Sequence, residues 1–216
     1  MMNQDPLARV FESGIVAVIR AEQSERLVDV AEALLAGGVE VMEVTFTVPR
    51  PIEVLAQVAR KLGDRVLLGA GTILDTETAR AALLAGAEFL VSPNTNSDVI
   101  QLGRRYGKLV MPGAMTPTEV VTAWQAGADI VKVFPSDVLG PAYLKALRGP
   151  LPQVRLMPTG GVNLKTAADF LAAGACALGI GGSLVEPQAV ARGDMTRIEN
   201  LARQYVDIVR EFRGGR

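Results

Sequence analysis

Recurrence constrains this chain more than any single motif. Eight short apolar runs are spread along 216 residues, and longer stretches with helical apolar spacing lie between them. The runs are GIVAVIR (14–20), VEVMEVTF (39–46), RVLLGAGT (65–72), EFLVSP (88–93), KLVMPGA (108–114), DIVKVFP (129–135), VRLMPTG (154–160) and CALGIGG (176–182). Each is shorter than a typical helix and rich in aliphatic or β-branched residues. Most run out into Gly, Pro, Ser or Thr, as strands do. The intervening stretches, such as SERLVDVAEALLAG and PTEVVTAWQAG, carry helical periodicity. Ser24, Thr76, Ser97, Thr116 with Pro117, and Asn163 stand where helices should begin.

A faint internal echo supports one repeated unit. LLAGGVEVMEV, LLAGAEFLVS, WQAGADIVKV and LAAGACALGI all read as helix end, glycine stop, strand. Strands that are almost wholly apolar, alternating with helices, predict a parallel sheet covered by helices. Eight such units in this length predict an α/β single (β/α)8 TIM barrel over residues 1–216 rather than an open doubly wound sheet. DPLARVFES adds an extra N-terminal helix across the barrel floor, and residues 194–212 supply the last helix.

Composition then excludes whole classes of chemistry. Histidine is absent, so neither a Ser-His-Asp triad, a Cys-His pair nor a His-rich zinc site can be built from one chain. Acid–base work falls to Glu, Asp, Lys, Tyr or water. A formal net charge of −1 offers no footprint for nucleic acid or a membrane surface. No apolar run reaches membrane-span length, the first residues lack a signal-peptide layout, and the lone Cys176 suits a reducing compartment, so a cytoplasmic protein is expected. Cys176, in AAGACALGI, reads as buried packing.

Three charges stand where a barrel interior should be apolar. Alternate residues of a barrel strand face inward. Lys132 shares a face with Ile130 and Phe134, Glu43 with Val41 and Thr45, and Arg20 with Val16 and Val18. All three lie towards the C-terminal strand ends, where catalytic groups of such barrels gather. A buried salt bridge is the plain structural reading. Desolvating ions costs several kcal/mol each, however, and apolar replacements are often no less stable. Arg20, at a strand end, can also snorkel to solvent. The other lysines (Lys61, Lys108, Lys145, Lys165) occupy routine positions. A buried lysine loses its proton more easily and becomes an imine former, and a nearby carboxylate, here Glu43, can move protons on and off the bound carbon skeleton.

Two glycine pairs point to an anion. PTGGV (158–162) and GIGGSLV (179–185) follow the last two strands, where barrels hold phosphate on backbone N–H groups. Gly160, Gly161, Gly181 and Gly182 are the candidates, with the Ser183 hydroxyl beside them. Thr72, closing GAGT, can orient a carboxylate. Pro93, Pro112 and Pro135 end strands and shape the cleft floor. Trp124 reads as packing.

With these residues identified, the chain resembles the 2-keto-3-deoxy-6-phosphogluconate aldolase family, many members of which also act on 4-hydroxy-2-oxoglutarate. The resemblance runs through VAVIR, MEVTFTVP, LGAGTILD, FLVSPNTN, MPGAMTPTE, VKVFPSDVLGPAYLKALRGPLP, MPTGGVN and GIGGSLV. It implies Lys132 as Schiff-base lysine, Glu43 as proton-transfer residue and Thr72 holding the pyruvate carboxylate. Arg20, Pro93, Phe134 and Thr159 would line the cleft, and Gly160, Gly161, Gly181, Gly182 and Ser183 would hold phosphate. It also implies a keto-acid phosphate substrate, a homotrimer, and neither cofactor nor metal. Thr47 departs from relatives that carry arginine four residues after the glutamate, which bears on carboxylate binding. A magnesium-dependent aldolase with Glu43 as ligand, and a phosphosugar-binding barrel without catalysis, are the competing readings.

Overall fold

The computed structural model describes residues 5–215. Its strands are short and lie within the apolar runs: β1 (Ile15–Ile19), β2 (Val41–Thr45), β3 (Leu67–Gly71), β4 (Phe89–Val91), β5 (Leu109–Met111), β6 (Gly113–Ala114), β7 (Val131–Val133), β8 (Leu156–Pro158) and β9 (Leu178–Ile180). Every pairing is parallel. One sheet runs β5-β4-β3-β2-β1-β9 and another β6-β7-β8. Pro112, which has no N–H to give a ladder, parts β5 from β6 within a single run, and its carbonyl accepts from the Lys132 N–H at 2.9 Å. A parallel bridge between Thr159 and Gly179 links the second sheet back to the first. The result is a curled parallel sheet with helices outside.

Helices α1 (Pro6–Ser13), α2 (Leu27–Ala36), α3 (Pro51–Leu62), α4 (Thr76–Leu84), α5 (Ser97–Arg105), α6 (Pro117–Gln125), α7 (Gly140–Arg148), α8 (Ala167–Ala172), α9 (Pro187–Arg192) and α10 (Met195–Gly214) fill the crossovers and ends. None of the described helices is long and apolar enough to cross a membrane.

The strands sort their side chains with period two. Ile15, Ala17 and Ile19 of β1, Met42 and Val44 of β2, and Val131 and Val133 of β7 pack outward against Leu27, Leu34, Leu55 and Leu144 of the helices. Val16, Val41, Leu67, Phe89, Met111, Ile130 and Met157 form a separate inner cluster, which Val10, Leu7 and Phe11 of α1 join from below. The predicted alternation thus holds, and α1 precedes β1. Arg213 near the end of α10 donates to the carbonyls of Phe11 and Glu12, so the last helix clasps the first.

Helix boundaries correct several expectations. Thr116 caps α6 in a full capping box with Glu119, as its sequence demands. At α4 and α5 the cap is one residue earlier, at Asp75 and Asn96, whose side-chain oxygens accept from Thr78 N and from Asp98 N and Val99 N. Where two capping residues adjoin, the first one takes the extended backbone and its oxygen reaches the open turn. Helix α2 starts at Leu27, three residues beyond Ser24, and α8 starts at Ala167, where Asn163 instead closes a turn on Lys165 N. The short α9, stopped by Gly193 in a left-handed conformation, was not expected from periodicity; six residues are too few to show one.

Candidate active site

Strand β7 places Lys132 between two outward valines, so its side chain enters the inner face above Ile130 and Met157. Only 7% of it is exposed. The ammonium nitrogen stands 4.9 Å from the centroid of the Phe134 ring. Glu43 enters the same inner region from β2 and is 1% exposed, and neither carboxylate oxygen has a hydrogen-bond partner. Unpartnered buried oxygens are costly, which makes this pair unlike ordinary core.

Each charge alters its neighbour. Burial pushes the Glu43 carboxyl up, while Lys132 and then Arg20 pull it back. Burial pushes the Lys132 ammonium down, Glu43 opposes this, and Arg20 adds to it. Desolvation is the leading cause in both, so both groups move towards neutrality. A neutral amine beside a carboxyl that can hold or release a proton is the equipment for carbonyl addition followed by proton transfer.

Arg20 lies one residue beyond β1, which ends at Ile19, and its side chain is exposed. Its charge still reaches the buried pair. Thr72 follows β3 directly with φ at 60°, a left-handed conformation rare for a β-branched residue. Thr159 is buried at the end of β8, and its hydroxyl oxygen also lacks a partner. Pro93 follows β4 and Phe134 follows β7, both partly buried.

The two glycine pairs occupy loops at the same strand ends. Gly160 and Gly161 have φ of 90° and 70°, which only glycine adopts readily. Asp137 lies against them: a Cβ on Gly161 would approach Asp137 Cα to 2.7 Å. Ser136, buried and unremarked in the sequence, donates its N–H to the Thr159 carbonyl at 2.9 Å and its hydroxyl to that of Val133 at 2.7 Å, tying the loops after β7 and β8 together. Gly181, Gly182 and Ser183 follow β9. The Ser183 carbonyl accepts from the buried Tyr205 of α10 at 3.4 Å, and the next acid, Glu186, holds Arg197 through two hydrogen bonds. A tyrosine within a long amphipathic helix gave no sign of that role. Thr47 is exposed and hydrogen-bonds the Thr45 hydroxyl at 2.8 Å. Arg50, in a left-handed conformation, leans away to Ser24 and Glu25.

Two surface grooves, of about 390 and 240 Å³, lie between α2 and α3 and between α2 and α10. Their linings include none of the candidate catalytic, keto-acid or phosphate residues. Among the described residues no group of three or more His, Cys, Asp or Glu is gathered as a metal site. Cys176 packs against the inner cluster, and burial pushes its thiol up to about 12, the state of an inert packing residue.

Comparison with known proteins follows the same lines. Residues 8–201 match the family model described as KDPG and KHG aldolase. A 2-dehydro-3-deoxy-phosphogluconate aldolase of Treponema pallidum is 39% identical over 197 residues, covering 90% of this chain and 93% of that protein. The structure of a Legionella pneumophila KDPG aldolase with pyruvate captured as a covalent carbinolamine superposes with a TM-score of 0.86 at 30% identity, over 93% of this chain and 97% of that one. A protein cage designed by fusing symmetric oligomeric domains matches with the same TM-score at 32% identity, over 93% of this chain and 73% of that one.

Proposed function

The chain belongs to the KDPG and KHG aldolase family, and from that premise we propose that it is a class I aldolase that splits 2-dehydro-3-deoxy-6-phosphogluconate into pyruvate and glyceraldehyde 3-phosphate, and 4-hydroxy-2-oxoglutarate into pyruvate and glyoxylate. One observation carries the residue assignment: a nearly inaccessible lysine shares the sheet's inner face with a carboxylate whose two oxygens are unpartnered.

In this reading the neutral Lys132 amine adds to the C2 carbonyl of the keto acid, and loss of water gives an iminium. Glu43 takes the proton of the C4 hydroxyl, directly or through water. The C3–C4 bond breaks, its electron pair becomes the C2–C3 double bond while the C=N pair returns to nitrogen, and the aldehyde leaves. Glu43 then returns a proton to C3 of the enamine, and hydrolysis frees pyruvate and the lysine. Thr72, Arg20, Pro93, Phe134 and Thr159 line the keto-acid end. Gly160, Gly161, Gly181, Gly182 and Ser183 take the phosphate on backbone N–H groups and a hydroxyl. Thr47 leaves the carboxylate without a guanidinium at that position, so the ratio of the two activities is where this chain differs from arginine-bearing relatives.

The same reading takes residues 1–216 as one domain and both sheets as one closed (β/α)8 barrel. The Thr159–Gly179 bridge and the passage of one run from β5 to β6 support that closure. It also takes the assembly as a homotrimer working in the cytoplasm on small molecules alone.

The test is to incubate the protein with pyruvate and sodium borohydride, then map any adduct by peptide mass spectrometry, with a chelator in a parallel sample. A stable adduct on Lys132 that survives chelation and is missing in Lys132→Ala is expected. No adduct in folded protein would overturn the assignment.

A further inference from the structure

Strand β3 turns two glycines, Gly69 and Gly71, towards the inner face, while Ala70 between them packs outward. Each glycine makes room for a different neighbour. In the parallel register Gly69 lies beside Glu43, yet the space a Cβ would need at Gly69 is taken by the Phe89 ring. The Glu43 side chain instead leans one step towards the C-terminal strand ends, as strand side chains can. Its carboxylate lies over Gly71. A Cβ there would stand 2.6 Å from Oε1, 2.8 Å from Cδ and 3.3 Å from Oε2, and these are its three nearest atoms. Real Cβ atoms essentially never come within 3.0 Å of another heavy atom.

The backbone does not explain this glycine. Gly71 is not among the residues with positive φ, and its carbonyl accepts an ordinary hydrogen bond from Phe46 N at 2.8 Å. What the position requires is the missing side chain, the usual meaning of a glycine inside a strand where another group approaches closely.

We propose that Gly71 is a positioning residue for Glu43: its lack of a Cβ is the seat of the carboxylate, and it sets that group at the height at which it meets carbon bound to Lys132. The proposal rests on the aldolase reading. It also explains why Glu43 can sit without a hydrogen-bond partner and still be fixed. The carboxylate is held by shape, between Gly71 and the packed Phe89 floor, leaving both oxygens free for proton transfer.

Pyruvate alone isolates the step. Once it is an iminium on Lys132, Glu43 removes a methyl proton; the C–H pair becomes the C2–C3 double bond and the C=N pair returns to nitrogen. Reversal in D2O puts deuterium on the methyl group. Exchange measured by NMR therefore reads the carboxylate, and borohydride trapping reads the imine. In Gly71→Ala we expect trapping at the wild-type level and exchange slowed about 100-fold, the usual consequence of displacing a reacting group by about 1 Å. Glu43→Asp withdraws the carboxylate by one methylene, so it should slow exchange in the wild-type background but speed it in the Gly71→Ala background.

Normal trapping in Gly71→Ala with exchange within about twofold of wild type would overturn the proposal. So would a Glu43→Asp substitution that recovers no exchange when added to Gly71→Ala. Should Gly71→Ala not fold, thermal melts decide. Gly71→Ala with Glu43→Ala should then match Glu43→Ala alone, and a lasting deficit would assign Gly71 to packing. An absence of adduct in folded wild-type protein overturns the aldolase reading and this inference together, which keeps the two failures distinct.

Discussion

Consider replacing both buried charges at once, Lys132→Met with Glu43→Leu. Methionine follows the unbranched lysine stem, and leucine branches one bond nearer the backbone than the carboxylate, clear of Gly71. Both positions are more than nine-tenths buried, so both ions have lost nearly all their water. Buried pairs exchanged for apolar groups of similar volume typically gain about 1–4 kcal/mol or break even. At about 2–4 °C per kcal/mol for a chain of this size, the double variant should melt no lower than wild type and up to about 16 °C higher. The gain should depend on pH with a defined sign. Glu43 has a raised folded-state pKa, so its penalty is absent below its unfolded value near 4.5 and grows as pH rises through the folded value. Lys132 has a lowered folded-state pKa, so its penalty is full at low pH and fades as pH rises towards 10.5. The advantage of the double variant is therefore greatest at intermediate pH and shrinks at both ends. Differential scanning calorimetry at matched protein concentration, from about pH 4 to about pH 11 so as to span both unfolded values, measures it. The variant must also lose all borohydride trapping. A double variant that melts several degrees lower at neutral pH would refute the reasoning, because the charges would then be holding the fold together rather than burdening it.

Two further outcomes follow from the same geometry. Glu43→Gln keeps the shape over Gly71 but cannot carry the proton, so cleavage should fall about 10²–10⁴-fold while pyruvate still forms a trappable adduct on Lys132; steady-state assays beside the trapping experiment check this. Gly161→Ala forces an L side chain into a backbone with φ of 70° and against Asp137, so KM for the phosphorylated substrate should rise sharply with pyruvate trapping unchanged, read from initial rates.

What sequence could reveal depended on whether a residue's meaning is local. Lys132 and Glu43 were legible because a charge inside an apolar run is anomalous before any fold is known, and period two assigns its face. Arg20 was less legible, because it lies one residue beyond β1 and strand ends are set by neighbouring strands. Caps at α4 and α5 shifted by one residue for a similar reason, since Asp75-Thr76 and Asn96-Ser97 each offer two acceptable caps. Gly71 was invisible. A missing side chain acquires meaning only when β2 and β3 are aligned and Phe89 has filled the space beside Gly69. The hold of Tyr205 on the Ser183 carbonyl depends on a contact across the fold in the same way.

The clasp of Arg213 on the carbonyls of α1, together with the pairing of β1 with β9, gives the chain a direction in time. During synthesis β1, β2, β3 and β4 can pair in the order in which they emerge, each with a neighbour already made. One edge of β1 and the end of α1 must wait for Leu178 and Arg213. Until the ribosome has released almost the whole polypeptide, the first strand keeps an open edge that any other strand could occupy. A nascent chain stalled before β9 should therefore be the species that chaperones hold longest.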